Sequence, residues 1–325
     1  MNKRERVLAA LEGRKTDYVP GCFWKHFPPD KSKGEIFIRE QIKFYRDTDE
    51  DFLKISCDGY FGWPEECLRN LEQPSQLYHM KRLGTDHPFI REQIERAKAV
   101  ASLIKEEVCC FYTMFCPLSY FRLQVGWDKM MQCIRKDPEA VKYACSVIAE
   151  DLCELVRGIL EESGCDGIFY SVQNAEINRF TYQEYRDWVT PSDRKVLEYA
   201  NTLSKYNILH CCGWDADEAG TVNRIEVWQD YPAAAINWAS SVDGMDAGEV
   251  CAFFGVHAAW GGFDNRKCGT LYRGTKEEVQ KETRRLIKNA ENFGYLLGPD
   301  CSLPDDISEE RIRWVLEEAR KGGIE

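Results

Sequence analysis

The stretch DPEAVKYACSVIAEDLCELVRGILEESGCDGIFYSV, residues 137–172, decides the fold. Asp137 is a helix cap, and Pro138 suits the first helical position, where its missing N–H costs nothing. Val141, Cys145, Ile148, Leu152, Leu155 and Ile159 then repeat at helical spacing, until Gly164 stops the run. A short, β-rich apolar run follows directly, Gly167–Val172. Helix and buried strand thus form one unit, and the rest of the chain repeats that alternation.

Seven more runs of the same kind occur, at Tyr18–Trp24, Phe52–Cys57, Val108–Met114, Asn207–Cys212, Ala233–Trp238, Val256–Trp260 and Tyr295–Gly298, which makes eight. Helical signals lie between most of them. Thr181–Glu184 is a capping box, and Pro191 breaks or kinks the helix it opens. Thr275–Glu278 is another, with its helix running to Gly294. Ser308 starts a last helix with Ile312, Val315, Leu316 and Ala319 on one face. Eight strands alternating with helices predict an α/β fold, a (β/α)8 TIM barrel. An open doubly wound sheet is the alternative, but no GxGxxG loop follows the first run. Met1–Gly13 reads as an N-terminal capping helix, and Glu35–Arg46 and Gly62–Arg91 as early-loop insertions. No repeat or Ser/Gly-rich linker interrupts the chain, so residues 1–325 read as a single domain.

Composition narrows the function classes. The 325 residues carry 43 Lys and Arg against 54 Asp and Glu, a net charge of -11. Such a surface repels a phosphate backbone, so nucleic acid is not an expected partner. No apolar run is long enough for a membrane helix. The apolar run after Arg6 breaks at Glu12, too short for a signal peptide, and a cytoplasmic location is expected. The 15 cysteines are odd in number, and several sit in apolar runs. Most are expected to be reduced, small buried hydrophobes.

In a barrel of this kind, chemistry belongs at the C-terminal strand ends. The fifth run ends Ile208-Leu209-His210-Cys211-Cys212-Gly213. Side chains on a strand alternate faces, so His210 and Cys212 point the same way and Cys211 points toward the helices. The eighth run leads into Gly298-Pro299-Asp300-Cys301-Ser302-Leu303-Pro304. In a closed barrel, Cys301 approaches His210 and Cys212. One nitrogen and two sulfurs suit Zn²⁺ with a fourth position open; three buried residues in a cysteine-rich chain is the plainer reading.

Past the fourth run come Gln173, Asn174 and Glu176. They bind substrate or complete a metal shell, or they solvate a loop and cap the next helix. Asn237 ends the sixth run and Asp264 follows the seventh, where Gly261-Gly262 allows close backbone approach to a ligand or makes an ordinary turn. The first run leads into Phe23-Trp24-Lys25-His26-Phe27, a candidate ligand wall in which Trp24 and Lys25 bind and His26 acts as acid or base. Asp58 and Tyr60 end the second run.

These motifs have a family likeness. Arg6–Arg14 with Asp17-Tyr18-Val19-Pro20, the His210 segment, Gly261-Gly262-Phe263-Asp264 and Gly298–Pro304 through Ile312-Arg313 resemble the uroporphyrinogen decarboxylase superfamily over nearly the whole chain. That resemblance implies the same barrel and offers two branches. The decarboxylases hold a many-carboxylate substrate with an arginine-rich loop after the first strand and need no metal. Here that loop is Cys22–Phe27 and has no arginine, and lysine does not replace arginine's two-pronged fork. The other branch is the zinc-dependent methyltransferases that work with corrinoid proteins. Its His-x-Cys plus distant Cys motif falls on His210, Cys212 and Cys301. This branch implies zinc, a corrinoid (cobalamin) carried by a partner protein and a small methyl donor or acceptor, with the chain expected as an O-demethylase component. It also allows a homodimer, and gives Glu176 a role as a displaceable fourth ligand. A metal-free tetrapyrrole decarboxylase, or a non-catalytic corrinoid or tetrapyrrole binder, is the competing expectation.

Overall fold

The computed structural model describes residues 1–104, 108–213, 220–290 and 294–322. Seven strands form one curled parallel sheet in chain order. They are β1 (Leu53–Ile55), β2 (Cys110–Phe115), β3 (Gly167–Val172), β4 (Ile208–Cys211), β5 (Ala235–Trp238), β6 (Ala258–Phe263) and β7 (Gly294–Pro299). Parallel neighbours need crossovers, and helices supply them. The helix read from residues 137–164 spans Pro138–Glu162, with Asp137 accepting from Ala140 N (3.1 Å). Both predicted capping boxes form, at Thr181 and Thr275. The first helix ends at Trp188 and a second, Thr190–Leu203, follows with Pro191 in its opening turn. The Thr275 helix spans Lys276–Asn289, and part of its expected end, 291–293, lies outside the described residues.

Eight strands were expected and seven form among the described residues. The first run, Tyr18–Trp24, is the exception, and its hydrogen bonds explain why. Pro20 has no N–H, so it contributes only its carbonyl, to Leu297 N (2.8 Å). Cys22 N returns a bond to Leu297 O (3.0 Å), a single bridge to β7. On the other side, Gly21 N and Phe23 N donate to the carboxylates of Asp51 (3.0 Å) and Glu50 (2.8 Å) instead of to strand carbonyls. The segment is tied along both edges of the sheet without a regular ladder.

Residues alternate across the sheet as the period of two requires. Phe52, Phe111, Phe169, Ile208, Ala235, Ala258 and Trp260 form an inner cluster, closed at the strands' N-terminal end by Val7, Ala10 and Leu11. Those three come from the helix Lys3–Leu11, the expected cap. Leu209, Cys211, Tyr170 and Ile236 face the helices in the outer core. The early-loop segments are a long helix, Gly34–Thr48, and short turns leading to the helix Pro88–Ile104. No described helix is long and apolar enough to cross a membrane.

Candidate metal centre

His210 and Cys212 leave β4 on the inner side, and Cys301 follows β7. Their ligand atoms lie within 4.8 Å of one another. Cys212 Sγ and Cys301 Sγ are 3.8 Å apart, as are Cys301 Sγ and His210 Nε2. Two sulfurs on a tetrahedral zinc, each about 2.3 Å from the ion, are about 3.8 Å apart. The spacing is too wide for a disulfide, and all the cysteines are free. Burial and the adjoining sulfur hold the Cys212 thiol up, with the contact to Cys301 the leading cause; the same contact lowers Cys301. Two thiols sharing a proton in this way fit a pair built to lose both protons to a cation.

The imidazole is oriented by its neighbour across the sheet. His210 pairs in register with Asn237 on β5, and their side chains bond through His210 Nδ1 and Asn237 Oδ1. Asn237 Nδ2 donates to Trp260 O (2.6 Å) and Pro299 O (3.1 Å). Two carbonyls can only accept, so the amide nitrogen is fixed there and Oδ1 faces the histidine as acceptor. His210 Nδ1 therefore carries the proton, and Nε2 presents its lone pair toward Cys301. Orientation of a ligating histidine through its second nitrogen is the usual support of a metal site. The residues present fit zinc.

A cavity of about 690 Å³ opens beside this trio. Trp24, Phe169 and Trp260 pack edge to face beneath it, with Phe169 stacked on His210 at 5.0 Å. His26 also lines it. Its Nδ1 lies 2.6 Å from Asp58 Oδ1, and its Nε2 lies 3.0 Å from Ser302 Oγ. Ser302 Oγ accepts from Trp24 Nε1 (3.1 Å). Asp58 is buried; burial pushes its pKa up, but His26, Ser56 and the amide of Phe27 outweigh that and hold it low.

The remaining expected site residues divide. Gln173 lines the cavity and accepts from Arg122 (2.7 Å). Asn237 does not line the cavity and bonds to His210. Lys25 does not line the cavity. The segment is extended, so Trp24 and His26 face in while Lys25 faces out, to Asp305 O (3.2 Å) and Glu309 (3.5 Å). Tyr60 is buried away from the cavity and donates to Glu92 (2.9 Å). Asn174, at φ 70°, donates to Ser119 (3.1 Å). Asp264 chelates Arg266. Glu176 is buried, pairs with Arg179 (3.5 Å) and is not part of the three-residue ligand group. Gly261-Gly262 is shaped by packing: a Cβ at Gly262 would lie 2.5 Å from the Tyr295 hydroxyl.

Sequence reading missed Lys54, Thr113 and Arg122, which all line the cavity. Lys54 carried a signal, as a lone charge inside the apolar run Phe52–Cys57 and two residues from Phe52. Burial pulls its pKa down, opposed by Cys57, Asp58 and Cys301.

Comparison with known proteins agrees with the fold. The family model described as uroporphyrinogen decarboxylase (URO-D) matches residues 65–322. A methyltransferase from Methanosarcina mazei superposes with a TM-score of 0.76 at 14% identity, covering 99% of each chain. A B12-independent methionine synthase from Shewanella sp. W3-18-1, solved with selenomethionine, gives a TM-score of 0.49 at 13% identity, over 94% of each chain. No curated protein sequence matches the chain.

Proposed function

The chain belongs to the uroporphyrinogen decarboxylase family, and we propose that it is a zinc-dependent methyltransferase. It moves a methyl group between a small O-methyl or thiol substrate and the cobalt of a corrinoid protein, as an O-demethylase component. The single observation that carries this reading is the His210–Cys212–Cys301 group, with Asn237 fixing the histidine's free nitrogen toward it. The likeness in fold to a methyltransferase is in keeping with it.

Bound there, zinc would act as a Lewis acid, easing negative charge on an ether oxygen or holding a thiol as thiolate. The chain's own groups do the rest. Trp24, Phe61, Phe115 and Phe169 line the cavity and suit an aryl ether or another small, partly apolar methyl carrier. Asp58 holds His26 through Nδ1. The opposite ring nitrogen then gives a proton, through the Ser302 hydroxyl, to the departing oxygen in demethylation or takes one in the reverse direction. The corrinoid protein docks at the open mouth, and Glu176, paired with Arg179, would swing in as a fourth ligand that leaves when substrate enters.

The test is metal content and transfer together. We expect one zinc per chain, lost with methyl transfer to a corrinoid protein in Cys212→Ala or Cys301→Ala. A folded, metal-free protein that releases carbon dioxide from uroporphyrinogen III in the presence of a chelator would instead identify a decarboxylase.

A further inference from the structure

The cations around the cavity are not equally occupied. Arg266 chelates Asp264, Lys267 pairs with Asp306 (2.9 Å), and Arg122 donates to Gln173. Lys54 is different. It is 3% exposed, and its ammonium has no hydrogen-bond acceptor among the described residues. It lies over the faces of Trp24 and Phe169, 4.9 Å from each ring centroid. Ring faces attract a cation but do not replace an anion or the lost water. On the neighbouring strand, the Thr113 hydroxyl is buried and also unpartnered. Both side chains line the cavity.

The metal centre does not neutralise this charge. Once substrate has displaced Glu176, zinc at +2 with two thiolates and a neutral imidazole sums to zero. The nearby Asp58 carboxylate is already engaged by His26, Ser56 and the amide of Phe27, so Lys54 remains as a positive charge without a hydrogen-bonded counter-ion in a largely apolar chamber. Its place in the sheet is deeper than the ligands: Lys54 pairs with Phe111, whereas His210 pairs with Ser171, which pairs with Phe115. A ligand reaching from the trio into the barrel meets aromatic walls first and then an ammonium and a hydroxyl, the two donors a carboxylate needs.

We propose that the substrate of this site is a carboxylate-bearing small molecule, and that Lys54, with Thr113, binds its carboxylate while its methyl-bearing end lies toward Cys212 and Cys301. The placement of the methyl-bearing end rests on the methyltransferase reading; the anion site does not.

The probes are 4-methoxybenzoate and 4-methoxybenzamide, which share shape and differ in charge. Binding of each to the full chain is measured by calorimetry, before and after removal of metal with a chelator. We expect the carboxylate to bind about tenfold tighter or more in both preparations. Lys54→Met should erase the difference and Lys54→Arg should keep it. Equal binding of the two probes to the native chain, failure of the carboxylate to bind, or a preference that survives Lys54→Met would overturn the proposal. A Lys54-dependent preference in a protein without methyl transfer would strike the functional reading and leave the anion site standing. Methyl transfer with no carboxylate preference would do the reverse.

Discussion

Strand β3 carries polar side chains on both faces, and the two faces lead to different kinds of buried cluster. Outward, Tyr170 donates to Asp193 O (3.2 Å), and Tyr185 and Tyr231 converge on the Asp193 carboxyl (both 3.3 Å). Burial raises that carboxyl to about 8 although both tyrosines oppose it, so it is neutral at ordinary pH. Inward, Ser171 and Phe169 face the cavity with His210, Lys54 and the two thiols. Both clusters are buried and rich in titratable groups. The outer one keeps an unpartnered Asp193 Oδ1 but faces no cavity, while the inner one has a lone pair, two sulfurs and an ammonium aimed into the cavity. Buried polarity alone does not mark a functional site; unspent bonding capacity facing a cavity does.

The sharpest way to break that contrast is to delete a ligand. Cys212→Ala or Cys301→Ala should lower methyl transfer by about a thousandfold or more and abolish metal binding, while circular dichroism stays native. His26→Gln comes next, with kcat falling about a hundredfold, as for loss of a general acid, and zinc content unchanged; an unchanged kcat would remove His26 from the proton path. Asn237→Ala should weaken zinc about 10–100-fold in chelator competition, since the imidazole loses its orienting acceptor.

The smallest effect belongs to the outer cluster and appears only in stability. The Asp193 carboxyl ionises near 8 in the folded chain and near the ordinary 3.8 when unfolded. Between those values the unfolded chain binds fewer protons, so stability falls as pH rises through that window. Asp193→Asn keeps the neutral form, and its Tm should decline less between pH 5 and 8 than that of the native protein. Parallel Tm profiles would contradict the assignment, and metal content should not change in either case.

The legible parts of the sequence were those governed by local periodicity. The 137–172 helix and strand, the capping boxes and the inward His210–Cys212 pair follow from spacings of 3.6 and 2. Cys301 needed the convergence of distant strand ends, which follows from the expected barrel and not from any local spacing, and the family motif falls on the same three residues. The Tyr18–Trp24 run was read as a strand because its composition is apolar. Its fate depended on Pro20 and on carboxylates from Glu50 and Asp51, distant partners that no local window includes. Lys25 and Tyr60 neighbour site residues in sequence, but alternation turns Lys25 outward and Glu92 captures Tyr60. Lys54 lies within a strand and not at its end, but its long side chain reaches the same space from the inner face of the sheet.

Zinc K-edge absorption on the purified native chain tests the central claim most directly. The account predicts one zinc per chain with two sulfur neighbours at about 2.3 Å and a nitrogen at about 2.0 Å. A folded protein from zinc-supplied cells that holds no metal, or whose zinc has a shell without sulfur, would contradict it.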